Sequence, residues 1–123
     1  MKFAKVVFRV AGIYGLLVLA PLYFLYDTIG RLEPPPLTHP QFYYGFAGVA
    51  LAWQIGFLII AAQPARLRPM MIPAILEKAA YAIAVGVLFV QGRLGGQQLV
   101  TGGMDALLGV LFLAAYFKTR AAA

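Results

Sequence analysis

Apolar residues fall along this chain in four long blocks, and charge gathers between them. The first uncharged block covers 10–26, which is 17 residues. A bilayer core needs roughly 20 helical residues, with ~17 as a lower limit. This predicts a first helix over 8–26, kinked in its outer third by Pro21, which removes a backbone donor. Asp27, Gly30 and Arg31 stop it. A loop over 27–41 follows, containing the stiff Pro34-Pro35-Pro36 stretch, then Thr38-His39-Pro40.

The second block predicts a helix over 42–62, ended by Gln63-Pro64. A basic turn carrying Arg66 and Arg68 leads to a third helix over 72–91, with Pro73 in its first turn, where helices tolerate it. Gly92, Gly95 and Gly96 form the next turn, with Gln97 and Gln98. The fourth helix is predicted over 102–118 and is the weakest. Its uncharged stretch, 106–117, has only 12 residues, so a full crossing must include Asp105, and a re-entrant segment is the alternative.

Composition supports the same picture. Hydrophobic residues make up 63% of the 123-residue chain and charged residues 11%, against ~25% charged in soluble domains. So few charges do not cover a soluble globule. The predicted fold is all-α, an integral membrane four-helix bundle running up-down-up-down as one transmembrane domain, 1–123. The basic start (Lys2, Lys5, Arg9) is shared with signal peptides. The first apolar block is longer than a ~7–15-residue signal core, which predicts an uncleaved helix.

With the N-terminus inside, Lys2, Lys5, Arg9, Arg66, Arg68, Lys78, Lys118 and Arg120 fall on the inner side. Arg31 and Arg93 fall outside. This positive-inside bias predicts that both termini are cytoplasmic. Basic residues placed at span ends set topology and form no stripe for nucleic acid, so nucleic acid is not an expected partner. The expected partners are the lipid bilayer and a membrane protein complex or a second copy.

Helices in lipid associate through small residues. Gly48, Ala52 and Gly56 recur every four residues and predict a packing face on the second helix. Ala11 with Gly15, and Ala82 with Gly86, are shorter versions. Aromatics including Phe3, Phe8, Tyr23, Tyr26, Phe42, Tyr43, Tyr44, Tyr116 and Phe117 flank the spans as an interfacial belt. Trp53 and Gln54 fall near the middle of the second helix. They either line a cavity for an apolar ligand, or Gln54 bonds a neighbouring helix while Trp53 faces lipid.

Candidate chemistry is sparse. The chain has no Cys and no Ser, and His39 is its single His, placed in a loop. Thiol and serine nucleophiles, Cys-ligated metal and bis-His haem are thereby excluded, and no cofactor or enzymatic activity is expected. Asp27 and Glu33 are expected in solvent. Asp105 is expected in the first turn of the fourth helix, against the helix dipole. Glu77 is the main candidate. The uncharged stretch after it, 79–91, is 13 residues and too short to span, so Glu77 belongs inside the membrane. An intramembrane acid is a functional candidate by default. Pairing with Arg9, Lys5 or Lys118 is the structural alternative, with Tyr81 one turn away as a hydrogen-bond partner. From these helix bounds, Glu77 and Asp105 differ in depth by ~15 Å, which separates them.

The basic start (Lys5, Arg9), the Gly-rich first helix (Gly12, Gly15) and the basic turn between helices two and three resemble the small bacterial four-helix DoxX-like membrane proteins, over the whole chain. That resemblance implies a bacterial cytoplasmic-membrane location and quinone-linked redox association. Asp27, the Pro-containing loop and Gln54 resemble EXPERA-type sterol-binding proteins, whose pocket acids and His are missing here. Small multidrug exporters carry an acid in helix one, and this chain does not. The expected function is a small non-enzymatic membrane protein, either an accessory subunit or a lipophile-binding module. The alternatives are a proton-coupled small transporter using Glu77 and a quinone-linked redox component.

Overall fold

The computed structural model describes residues 2–32 and 38–119, and these are helical with short turns. Glu33, the triple proline and Arg120 lie outside the described residues. Helix α1 covers Lys2–Leu19 and continues as a 3₁₀ segment, Ala20–Phe24. Pro21 sits at the start of that segment, so the expected kink is a tightening of the helix into 3₁₀ geometry. Helix α2, Tyr26–Leu32, then forms where the sequence predicts loop. Helix α3 covers Pro40–Ala62, α4 Met71–Val90 and α5 Gly96–Lys118.

Pro40 and Pro73 occupy first turns, where a missing N–H costs nothing. Gly92, at φ +74°, ends α4. Its N–H donates to the Phe89 carbonyl and that of Arg93 to the Leu88 carbonyl, both at 2.9 Å, which is a Schellman close. Four helical stretches, Lys2–Phe24, Pro40–Ala62, Arg68–Val90 and Gln98–Lys118, are long and apolar enough to cross a membrane. Helix α5 begins at Gly96, well before the expected 102, so the fourth stretch reaches the length of a span.

The helices associate as two pairs, α1 with α3 and α4 with α5, joined chiefly by α1 against α5. At one end the join is dense. Phe8, Phe57 and Phe112 are fully buried, with Phe8 stacked on Phe112 at 4.2 Å and Phe57 edge-on to Phe112 at 4.9 Å. Ala4, Ala11, Ala61, Ala74 and Ala115 let the backbones close around these rings. Phe8 therefore belongs to the core and not to an interfacial belt. The Arg68 guanidinium lies 3.7 Å over the Tyr116 ring, and its Nε donates to the Tyr116 carbonyl at 2.9 Å. Lys118 lies 4.4 Å over Phe3. Away from this end, Tyr23, Tyr26, Tyr43 and Tyr44 cluster ring to ring, and the Tyr43 hydroxyl donates to the Leu22 carbonyl. The outer surface is apolar, with Leu17, Val90, Val100 and Phe117 exposed.

The expected small-residue face of α3 is not where α1 docks. Ala52 is exposed, Gly56 meets Trp53 of its own helix, and Gly48 meets only the Tyr23 hydroxyl. The close approach is supplied by α1. A Cβ on Gly12 would lie 2.8 Å from the Gln54 carbonyl oxygen, and one on Gly15 would overlap the Gln54 carboxamide. In the other pair, Gly102 faces Val85 and Gly109 faces Lys78 in one register.

Candidate functional site

The two helix pairs diverge beyond the aromatic core and leave a cleft of about 460 Å³ between them. One wall comes from α1, its 3₁₀ extension, α2 and α3. It is largely apolar, carrying Val18, Leu19, Leu22, Ile29 and Phe46. The facing wall comes from α4 and α5 and is polar, carrying Glu77, Lys78, Tyr81, Thr101 and Asp105. The polar positions repeat at helical spacing. Glu77 and Tyr81 are one turn apart on α4; Gln98, Thr101 and Asp105 follow each other on one face of α5.

Lys78 organises the polar wall. Its side chain is 5% exposed, and its ammonium group lies 3.7 Å from Glu77 and 3.6 Å from Asp105. It also lies 5.2 Å from the Phe57 ring centre, so α3, α4 and α5 all face it. A buried ammonium group requires such compensation, since stripping its water costs several kcal/mol.

Several expectations change here. The cation beside Glu77 is its own neighbour in sequence, while Arg9 is exposed on α1. Asp105 is not in a first turn, because α5 starts nine residues earlier, at Gly96. Nor is it remote from Glu77. Asp105 sits one turn from Gly109, which faces Lys78, so one lysine reaches both acids. Tyr81 bonds to Thr101 at 3.0 Å and not to Glu77. The Thr101 hydroxyl hydrogen goes to the Gln98 carbonyl at 3.0 Å, so Tyr81 is the donor to Thr101.

Gln54 lines the cleft from the opposite wall. It is 1% exposed. Its Nε2 donates back to the Ala50 carbonyl at 2.8 Å, so it does not bridge to another helix as one expectation had it. Its Oε1 is buried and accepts no hydrogen bond. Trp53 is half-buried against Phe57 and lies outside the cleft lining.

No family model, curated protein or solved structure matches this chain. Among the described residues, no three His, Cys, Asp or Glu side chains converge as they would around a metal ion. The cleft offers an apolar surface facing a charged and hydroxylated one, and that arrangement suits binding of an amphipathic molecule.

The residue missed at the sequence level is Lys78. The signal was present, because the short uncharged stretch 79–91 that places Glu77 inside the membrane also places Lys78 there.

Proposed function

We propose that the chain is a small, non-enzymatic, multi-pass membrane protein that binds an amphipathic lipophile between its two helix pairs. The observation that carries this reading is the asymmetry of the cleft walls, largely apolar on α1–α3, where Tyr14, Tyr43 and Gln54 are the exceptions, and polar on α4–α5. A cavity of about 460 Å³ falls within the ~300–1,000 Å³ usual for small-molecule sites. In this proposal the four long helices run up-down-up-down with both termini cytoplasmic, in a bacterial inner membrane. With Lys78 buried, the inner side still holds seven basic residues against Arg31 and Arg93 outside. The DoxX-like resemblance adds a quinone to the candidate occupants. The module then acts alone or as an accessory subunit of a membrane complex.

Native mass spectrometry on gently solubilised protein tests the binding. The expected result is a small lipophile retained after bulk phospholipid is stripped. It should be lost from Ala50→Phe, which places a ring in the cleft wall. A parent chain that retains nothing beyond what Ala50→Phe retains overturns the reading.

A proton-coupled transporter is the second reading. The Tyr81–Thr101–Gln98 hydrogen-bond string along the polar wall toward the start of α5 favours it. Proton flux in vesicles, lost in Glu77→Gln, would support it; flux unchanged by Glu77→Gln would exclude it.

A further inference from the structure

Among the described residues, the end of the bundle beside the aromatic core carries cations and no acid. Lys118, at the close of α5, lies over Phe3 of α1. Arg68, in the 3₁₀ turn Arg68–Met70 before α4, lies over Tyr116 of α5. These two contacts bring together the start of α1, the α3–α4 turn and the end of α5. With them come Lys2, Lys5 and Arg66, all three exposed. The described acids are elsewhere. Asp27 is on α2, past the far end of α1, and Glu77 and Asp105 are committed to Lys78.

Arg68 is the most constrained of these cations. It is half-buried, its guanidinium is stacked 3.7 Å over the Tyr116 ring, and its Nε donates to the Tyr116 carbonyl at 2.9 Å. That bond uses one of the five N–H groups of the fork. Those on Nη1 and Nη2 have no partner among the described residues. A half-buried charge without a counter-ion is costly, and a fork already fixed in place loses little freedom when it takes two oxygens of a phosphate.

We infer that this end of the bundle is a docking surface for the headgroup of an anionic phospholipid. The Arg68 fork takes the phosphate, and Arg66, Lys118 and the α1 lysines supply the surrounding positive field. Phe117 is 73% exposed beside Tyr116 and offers the acyl chains an apolar surface at the same level, which a free anion would not use. Basic clusters at a membrane surface attract anionic headgroups. Phosphatidylcholine presents the same phosphate but brings a trimethylammonium group into a field already positive. The inference rests on the chain crossing a membrane and is independent of what fills the cleft.

The test is native mass spectrometry of the full chain in detergent, with phosphatidylglycerol and phosphatidylcholine of distinguishable mass supplied in equal amounts. The parent should retain about tenfold more phosphatidylglycerol. Arg68→Gln should bring the ratio close to one. The double change Arg66→Gln, Lys118→Gln alters exposed side chains only and should lower the ratio about threefold; it carries the test if Arg68→Gln loses its cooperative melt. Arg31→Gln with Arg93→Gln, away from this end, should keep the parent's ratio. Equal retention of the two lipids by the parent overturns the inference and leaves the membrane-spanning reading standing. A chain that does not float with liposomes on a density gradient overturns both. A ratio unchanged in Arg68→Gln and in the Arg66/Lys118 pair, or lowered as much by the Arg31/Arg93 pair, overturns the placement. Displacement of the lipid by excess inorganic phosphate overturns the assignment to a lipid.

Discussion

Replacing Lys78 with Met should destabilise the protein more than any other single charge removal. Lys78 is 4% exposed and sits between two acids whose side chains are 23% and 19% exposed. Met preserves the length of the side chain but leaves two carboxylates facing each other without a cation. Removing one partner from a buried ionic cluster costs about 3–5 kcal/mol, mostly the penalty of stranding the others. At ~4 °C per kcal/mol for a chain of this size, the melting midpoint should fall by roughly 12–20 °C. Glu77→Gln behaves differently. It leaves Lys78 beside Asp105 at 3.6 Å and removes the surplus charge, so its midpoint should stay within ~4 °C of the parent. The triple change Lys78→Met, Glu77→Gln, Asp105→Asn should recover most of what Lys78→Met loses, because no ion is left stranded. Thermal melts in one detergent at neutral pH, followed by circular dichroism and by loss of monodispersity, make the comparison. A Lys78→Met midpoint within ~4 °C of the parent, or a triple variant no better than Lys78→Met, would refute the ionic account of this cluster.

Gly15→Ala should cost about 1–3 kcal/mol, because the added methyl overlaps the Gln54 carboxamide, while Gly86→Ala meets nothing within 4 Å and should be neutral or slightly stabilising in the same melt. Ala52→Leu should leave the melt of the monomer unchanged, since Ala52 is exposed; a large loss would place the Gly48/Ala52/Gly56 row in a contact with another chain. For topology, single cysteines replacing the exposed Thr38 and Gly95 should react with an impermeant thiol reagent added outside cells, and one replacing Arg66 should not; labelling at Arg66 in intact cells reverses the proposed orientation.

The helix bounds over α3 and α4 were legible because Pro40, Pro73 and the Gln63-Pro64 stop mark their ends by backbone geometry alone. The start of α5 was not. Gly96, Gly102 and Gly103 look like breakers in sequence, yet at Gly102 the missing side chain is what lets Val85 approach. That six-residue error at the start of the helix put Asp105 in a first turn and separated it from Glu77. The face of α3 that meets α1 was not legible for a different reason. In a helix apolar on every side, no polar face marks which stripe points outward. The four-residue row of small residues then fits more than one rotation. The rotation is fixed by Gly12 and Gly15 on α1, where the shorter Ala11/Gly15 row already marked the buried stripe, so the α1 side of the contact was legible and the α3 side was not. Glu77 was identified by the length argument, and the same argument applied to its neighbour would have found the lysine that anchors the site.

All three ions of the buried cluster belong to α4 and α5. This bears on how the chain enters the membrane. An acid or a lysine at the centre of an inserting helix costs ~2.5–3.5 kcal/mol, and α4 presents Glu77 and Lys78 side by side. Released alone from the translocon, α4 is a poor substrate for lateral partitioning into lipid. Released together with α5, it arrives with its lysine already held between acids from both helices, an ion pairing that draws on no residue of α1–α3. The second half of the protein is therefore expected to integrate as a unit, with the tight Gly92 turn bringing the two helices together before either meets the bilayer.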